Sequence, residues 1–134
     1  MRRAFLLVAL LCTICLKGTD AQEPEHPTPE IVSIVQLLGA PEKFEGHTVM
    51  VVGFLRFGFH ADILYLHKED FDNLIDKNGL SISRNPQVVD QMKKLEKSYV
   101  QVAGVFTAKH KGELGITSGT IESVRFVIHW PPNR

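Results

Sequence analysis

Two segments of this chain share a pattern of valines and glycine that restricts the fold more than any other feature. Residues 48–57 read TVMVVGFLRF and residues 99–108 read YVQVAGVFTA, so each contains V-x-V-x-G, ending at Gly53 and Gly104. Alternating β-branched residues are typical of a strand. A glycine inside such a strand usually marks a bulge or a tight bend. Two long strands bent in this way indicate a small, strongly coiled barrel.

Two helices are predicted beside these strands. The first covers residues 31–38, with Thr28 as its N-cap and Pro29 at its first position. Its apolar residues at helical spacing are Ile31, Ile34, Val35 and Leu38. The second covers residues 86–97, with Asn85 as its cap and Pro86 at its first position. Both helices are expected to pack one apolar face against the barrel.

The order of the segments predicts one particular β architecture. Further strand patterns occupy residues 62–66, 80–84, 114–117 and 120–130, the last two at the end of the chain. The predicted fold is mainly β with two helices: a five-stranded OB-like barrel. One helix precedes strand 1, and the other lies between strands 3 and 4.

Several longer runs resemble a family of small secreted bacterial proteins. These runs are PEKFEGHTVMVVGFL, LYLHKEDF, the pair Asn78-Gly79, and FTAKHKGELGITSGTI with Gly112, Gly115, Ser118, Gly119 and Ile121. The family is uncharacterised and predicted to be OB-fold-like, and the resemblance covers about residues 31–128. It implies the fold. It implies no activity, so no functional role passes to any residue of this chain.

The N-terminal residues predict a secretory signal peptide. Arg2 and Arg3 precede residues 5–16, a run that is apolar apart from Thr13, and Thr19-Asp20-Ala21 offers small residues for cleavage after Ala21. The run is too short for a stable transmembrane helix. We therefore expect a secreted or periplasmic protein without stable membrane insertion. Residues 22–30 are a Pro/Glu-rich spacer, 31–130 the OB-like domain and 131–134 a tail.

The two cysteines leave an alternative interpretation of this leader open. Cys12 or Cys15 could be acylated in a lipoprotein, or the leader could remain as an uncleaved anchor. Leu11 and Ile14 precede the two cysteines, whereas a lipidation signal has a small residue there. Cleavage after Ala21 would leave a chain without cysteine, held by its core alone.

The charge of the remaining chain disfavours nucleic acid as a partner. The chain has 15 basic and 15 acidic residues, of which residues 1–21 contain three and one, so 12 and 14 remain, a net charge of −2. Proteins that bind nucleic acid derive much of their affinity from neutralising phosphates. The expected partner is an unknown small ligand or an envelope protein.

Aromatic and basic residues cluster in the two loops that flank the ligand face of an OB barrel. Such residues can stack on a ring and hold polar groups. The candidate ligand-binding residues are Arg56, Phe57, Phe59, Tyr65, His67, Lys109, His110, Lys111 and Ser118. The alternative is that the two phenylalanines complete the core and the lysines only keep the second loop soluble.

No motif predicts a metal site, a cofactor or a catalytic residue. The densest group of possible metal ligands is His60, Asp62, His67, Glu69 and Asp70, and it matches no metal-binding spacing. Residues 22–134 contain no cysteine and no G-x-S-x-G motif. An enzyme would have to use His67 and Asp70 as an acid–base pair.

These observations favour a non-enzymatic OB-like module that binds a small or extended polar ligand, or a protein partner. The alternative is a structural or interaction protein of the cell envelope that has no small-molecule site.

The signal hypothesis predicts that the secreted protein begins at Gln22. Intact-mass measurement of protein recovered from its own host should give the mass of residues 22–134. A chain that retains Cys12 or Cys15 with the added mass of a lipid would contradict it.

Overall fold

The computed structural model describes residues 25–131, in which short helices alternate with strands. The strands are β1 (Glu30–Ile31), β2 (Thr48–Arg56), β3 (Ile63–Tyr65), β4 (Gly79–Ile82), β5 (Tyr99–Thr107) and β6 (Thr120–His129). The helices are α1 (Ile34–Gly39), α2 (Pro41–Phe44), α3 (Lys68–Asp72) and α4 (Val89–Lys94), with a 3₁₀ turn at Asp76–Asn78. The predicted signal peptide, its cleavage point, and residues 22–24 and 132–134 lie outside the described residues.

Five of these strands close into a barrel, which confirms the predicted mainly β fold. The order of hydrogen-bonded neighbours is β2–β3–β4–β6–β5, and β5 pairs again with β2. β4 and β6 are parallel neighbours, and α4 and β5 lie between them in the chain. The short β1 adds to the barrel through a parallel pairing with β2.

Gly53 pairs with β5 and lies one residue before the point where β2 also begins to pair with β3. Residues 48–54 of β2 pair with β5, and residues 54–56 pair with β3. A Cβ atom on Gly53 would lie 2.6 Å from the carbonyl oxygen of Tyr65 and 2.7 Å from Cγ of Leu64. Glycine is therefore required here because the strands approach too closely for any side chain.

Gly104 has the corresponding position in β5. A Cβ atom there would lie 2.6 Å from the carbonyl oxygen of Glu122, and the β5–β6 register shifts between Ala103 and Val105. Between these two positions Gly104 lies opposite three residues of β6, residues 123–125, and extra residues of this kind bend a strand and increase its twist. Both glycines of the repeated pattern thus lie at points where the barrel curves.

The barrel interior is filled by aliphatic side chains and one aromatic ring. Val49, Val51 and Leu55 of β2 face Val102 and Phe106 of β5, and all five are fully buried. A second buried cluster forms outside this core, where Phe54, Ile63 and Tyr65 pack beneath Phe71 of α3. β3 is consequently buried on both faces.

The predicted N-terminal helix is wrong at its start. Glu30, assigned to the spacer, and Ile31 pair with Val49 and Met50 as β1. α1 begins only after Ser33, whose Oγ accepts from the N–H of Gln36 at 3.2 Å, while Gln36 Oε1 accepts from the N–H of Ser33 at 2.9 Å. This capping box, not Thr28, starts the helix.

The inward face of this segment differs as a consequence. Val32, Ile34 and Leu37 are buried, whereas Ile31 and Val35 are 79% and 60% exposed. The predicted helix included Ile31 because this residue fits the helical spacing and a strand of two residues is too short to show a pattern of its own.

Four other segments also differ from the sequence prediction, and the described residues contain four helices where two were predicted. α2 and α3 were not predicted, since their four and five residues are too few for periodicity. α4 occupies the middle of the predicted 86–97 helix, after a turn in which Asn85 Oδ1 accepts from the N–H groups of Gln87 and Val88. Residues 114–117 belong to the β5–β6 connection and form no strand.

The barrel core predicts a large difference between two adjacent substitutions in β5. Val102 is fully buried, so Val102→Asp should lower the free energy of unfolding by several kcal/mol and approach the total stability of about 5–15 kcal/mol. Gln101→Asp, on the outward face of the same strand, should cost much less. Urea unfolding of both variants measures this, and equal losses would contradict the assigned register.

Candidate functional site

The C-terminal end of β4 lies between two loops. The β2–β3 loop comprises residues 57–62, and the β5–β6 loop comprises residues 108–119. The N–H of Ile82 donates to the carbonyl of Asp62 at 2.9 Å, while the N–H groups of Ser81 and Ser83 donate to Gly119 and Ile121. Because successive N–H groups of β4 alternate between its neighbours, both loops are held beside this one strand.

The two loops and β4 enclose a cleft of about 740 Å³, which we call the β4 cleft. It is lined by residues 59–62 and 109–113 of the two loops, by residues 81–84, and by Thr120 and Glu122 of β6. The cleft is open to solvent on one side and large enough for a small organic ligand.

Asp62 and Arg84 fix the β2–β3 loop at one wall of the β4 cleft. Arg84 donates through Nε and Nη2 to the two Asp62 carboxylate oxygens, at 2.5 and 2.9 Å, and through Nη2 to the carbonyl of Gly58. Asp62 also accepts from the N–H of Gly58 at 3.0 Å. The guanidinium lies 4.6 Å from the ring centroid of Phe57. Hydrogen bonding to Asp62 raises the pKa of Arg84, so this cation stays charged.

Buried hydroxyl groups connect β4 to the β5–β6 loop at the floor of the cleft. Ser81 Oγ and Thr117 Oγ1 are 3.0 Å apart. Thr120 Oγ1 donates to the carbonyl of His110 at 2.8 Å and accepts from the N–H of Gly112 at 3.2 Å. Gly112 has φ +72°, and a Cβ there would collide with Ser81. The floor is therefore preformed, and its hydroxyl groups are already hydrogen-bonded.

Glu45 anchors the first residues of the β5–β6 loop from outside the cleft. Its carboxylate accepts from the N–H of Ala108 and from Oγ1 of Thr107, both at 2.7 Å. These hydrogen bonds lower the pKa of Glu45. A lowered pKa means that the stabilisation is complete above the ordinary glutamate range and is lost as the pH falls through the lowered value.

The charged groups around the β4 cleft balance one another. Arg84, Lys109 and Lys111 share the lining with Asp62, Glu113 and Glu122. Nδ1 of His110 lies 2.6 Å from Oε1 of Glu122. Apart from its two histidines, the lining therefore has three basic and three acidic side chains, which balance. Among residues 25–131, neither lysine has a carboxylate within 4.0 Å.

Four of the nine candidate residues lie together at this cleft. Phe59 comes from the β2–β3 loop, and Lys109, His110 and Lys111 come from the β5–β6 loop. Phe59 is 92% exposed, so it does not complete the core.

The other five candidates lie outside the lining. Arg56 ends β2, and Phe57 packs against the barrel core beneath Arg84, as the alternative interpretation of this residue predicts. Tyr65 is fully buried, donates to Asp76 at 2.5 Å, and has a pKa raised by burial and by that hydrogen bond. His67 precedes α3, and Ser118 Oγ donates to the carbonyl of Lys77 at 2.7 Å.

The sequence interpretation missed the groups that hold the cleft together. Arg84 and Glu122 were not singled out, and Asp62 was considered only as a possible metal ligand. Asp62 and Arg84 are 22 positions apart, and only the pairing of β3 with β4 brings them together. The available signal was an acidic residue that begins one predicted strand and a basic residue that ends the next.

Within residues 25–131, no three His, Cys, Asp or Glu side chains are grouped as ligands for a metal ion. None of the helices in that same stretch has the length and apolar character needed to cross a membrane.

Comparison with solved structures finds 13 similar chains, one of them a distant likeness to a much longer protein. No protein-family model and no curated protein sequence matches the chain. A crystal structure titled as that of a "putative aspartyl-tRNA synthetase" from Leishmania major Friedlin is similar over 81% of this chain, with 10% identity and a TM-score of 0.42. The chain spans 21% of that protein. A likeness at this level carries no argument about function.

The Asp62–Arg84 pair predicts a specific loss when its carboxylate is removed. Asp62→Ala leaves Arg84 and the N–H of Gly58 without their acceptor, which should lower the free energy of unfolding by about 1–3 kcal/mol. Hydrogen exchange at Gly58 should accelerate. Asp72→Ala is the control, because its exposed ion pair with Lys68 should contribute less than about 1 kcal/mol. Equal effects of the two substitutions would show that Asp62 does not hold the loop.

Proposed function

We propose that this protein is a secreted or periplasmic, non-enzymatic OB-like module that holds a small or extended polar ligand in the β4 cleft. The observation that carries the proposal is the convergence of the β2–β3 and β5–β6 loops on that cleft. A preformed concave surface with a few polar groups and an exposed aromatic ring is typical of a ligand site.

The strand order supports the OB-like part of the proposal. When the five barrel strands β2 to β6 are numbered 1 to 5 in chain order, their order around the barrel is 1-2-3-5-4, and strand 4 pairs with strand 1 to close it. An OB barrel is a five-stranded Greek-key barrel that binds ligands beside strands 2 and 3 and the loops 1–2 and 4–5. Here those loops are the β2–β3 and β5–β6 loops.

The hydrogen bonding of the acidic side chains supports a binding role over catalysis. Asp70 accepts from the backbone N–H of His67 at 3.0 Å and from Nδ2 of Asn78 at 2.8 Å, so its carboxylate is used to cap α3. Asp62 is occupied by Arg84 and Gly58. Both carboxylates are therefore occupied by hydrogen bonds that hold the fold together, and this supports a structural role for them over an acid–base role in catalysis.

The export and partner parts of the proposal rest on the sequence. The leader in residues 1–21 supports a secreted or periplasmic location, and the net charge of −2 beyond it disfavours nucleic acid. The balanced charge of the β4 cleft also disfavours nucleic acid as a partner, because a neutral lining would release few counterions from the phosphates.

An interaction role in the envelope is the second candidate function. Leu74 and Ile75 are 67% and 44% exposed and border a shallow groove with Gly115 and Ile116, away from the β4 cleft lining. Exposed aliphatic groups of this kind are compatible with contact to another protein.

The proposal predicts that a natural ligand perturbs the cleft and leaves α4 unchanged. Isotope-labelled protein would be titrated with the small-molecule fraction of its own secreted or periplasmic compartment. Amide shifts are expected at residues 59–62, 81–84 and 109–113. Ser83→Trp, which places a bulky ring in the cleft lining, should weaken them, whereas Gln87→Trp on the exposed turn before α4 should not. Shifts confined to residues 88–97 would contradict the placement.

A further inference from the structure

The balanced charge of the β4 cleft restricts the chemistry of its ligand. Exposed Glu113 and half-buried Glu122 stand at the same opening as Lys109 and Lys111. An anionic ligand that approached the lysines would also meet these carboxylates, and a cationic ligand would meet the lysines. The lining therefore offers no net attraction to either sign of charge and favours an uncharged ligand.

The hydrogen-bonding groups that remain at the cleft include both donors and acceptors. Arg84 uses Nε and Nη2, while its Nη1 has no partner among residues 25–131. Glu122 uses Oε1 toward His110, and its Oε2 has no partner in that part of the chain. A guanidinium only donates and a carboxylate only accepts, whereas a hydroxyl group does both. A ligand with several hydroxyl groups can therefore satisfy both kinds of group.

Phe59 adds an apolar surface beside these polar groups. Its ring is 92% exposed and meets His60 edge-on, with 4.8 Å between the ring centroids. The ring has little to contribute to the core, yet it belongs to the cleft lining. A flat apolar face next to paired donors and acceptors matches a sugar ring, which has an apolar C–H face and a rim of hydroxyl groups.

We propose that the β4 cleft binds an uncharged oligosaccharide. One sugar ring stacks on Phe59, and its hydroxyl groups hydrogen-bond to Arg84 Nη1 and Glu122 Oε2. This inference rests on the proposed function and names the ligand class of the same cleft.

The test uses the secreted protein and a defined set of oligosaccharides. The neutral probes are cellohexaose, chitohexaose, maltohexaose and xylohexaose. The anionic probes are hexagalacturonate, a thymidine hexanucleotide and inorganic phosphate. Amide shifts locate each probe, and calorimetry measures its affinity. We expect at least one neutral probe to perturb residues 59–62, 81–84 and 109–113. Its affinity should change by less than about twofold between roughly 0.05 and 0.2 M salt, because no counterions are released.

A matched pair of variants distinguishes the stacking contact from general surface effects. Phe59→Ala should weaken the bound neutral probe roughly tenfold, as loss of an aromatic stacking platform does. Leu114→Ala is the control, since Leu114 is 56% exposed in the β5–β6 loop but outside the cleft lining. Both residues are exposed, so both variants should keep the wild-type melting temperature.

Each contrary result has a defined meaning. Salt-sensitive binding of an anionic probe to the cleft, with the neutral probes silent, overturns the saccharide class and leaves the proposed function intact. A neutral probe whose affinity is unchanged by Phe59→Ala overturns the assigned stacking contact. Silence of all four neutral probes at millimolar concentration also overturns the inference. The proposed function fails only when the native small-molecule fraction leaves the cleft amides unchanged as well.

Discussion

The close approach of β2 and β3 at Gly53 is the constraint on which the barrel depends. Gly53 still pairs with β5, β2 begins to pair with β3 at the next residue, and the carbonyl oxygen of Tyr65 lies too near Gly53 for any side chain. Because β2 pairs with both β3 and β5, the sheet closes on itself, and β4 lies beside β6. That neighbouring position places residues 57–62 and 108–119 on either side of β4. The β4 cleft is therefore a consequence of barrel closure.

Polar contacts then hold the loops in the positions that closure makes possible. The Asp62–Arg84 pair fixes one loop, and the hydroxyl groups of Ser81 and Thr120 fix the other. The hydroxyl contacts join the β5–β6 loop to β4 and β6, and the Asp62–Arg84 pair joins the β2–β3 loop to the residue that follows β4 by two positions, so both loops are tied to the barrel. A preformed site avoids part of the entropy cost of ordering loops on binding. This rigidity agrees with a binding role.

The sequence predicts the barrel because its strands carry their own local signals. V-x-V-x-G located both β2 and β5, including the glycines at which they curve. β1, α2 and α3 were not predicted because none of them is long enough to show a period. Tyr65 was assigned to the site because nothing local reveals that α3 covers this face of β3. The composition of the loops was enough to propose residues such as Lys111. The position of Arg84 beside Asp62, by contrast, depends on the register between β3 and β4.

The most direct test of the shared cleft is the distance between its two loops. Both cysteines of the chain lie within residues 1–21, so Lys111→Cys introduces a single labelling site in a protein that begins at Gln22. A nitroxide attached there should broaden the amide signals of residues 59–62 and 83–84 through space, although these residues are distant in sequence. Broadening confined to residues near 111 in the chain would show that the two loops do not form one site.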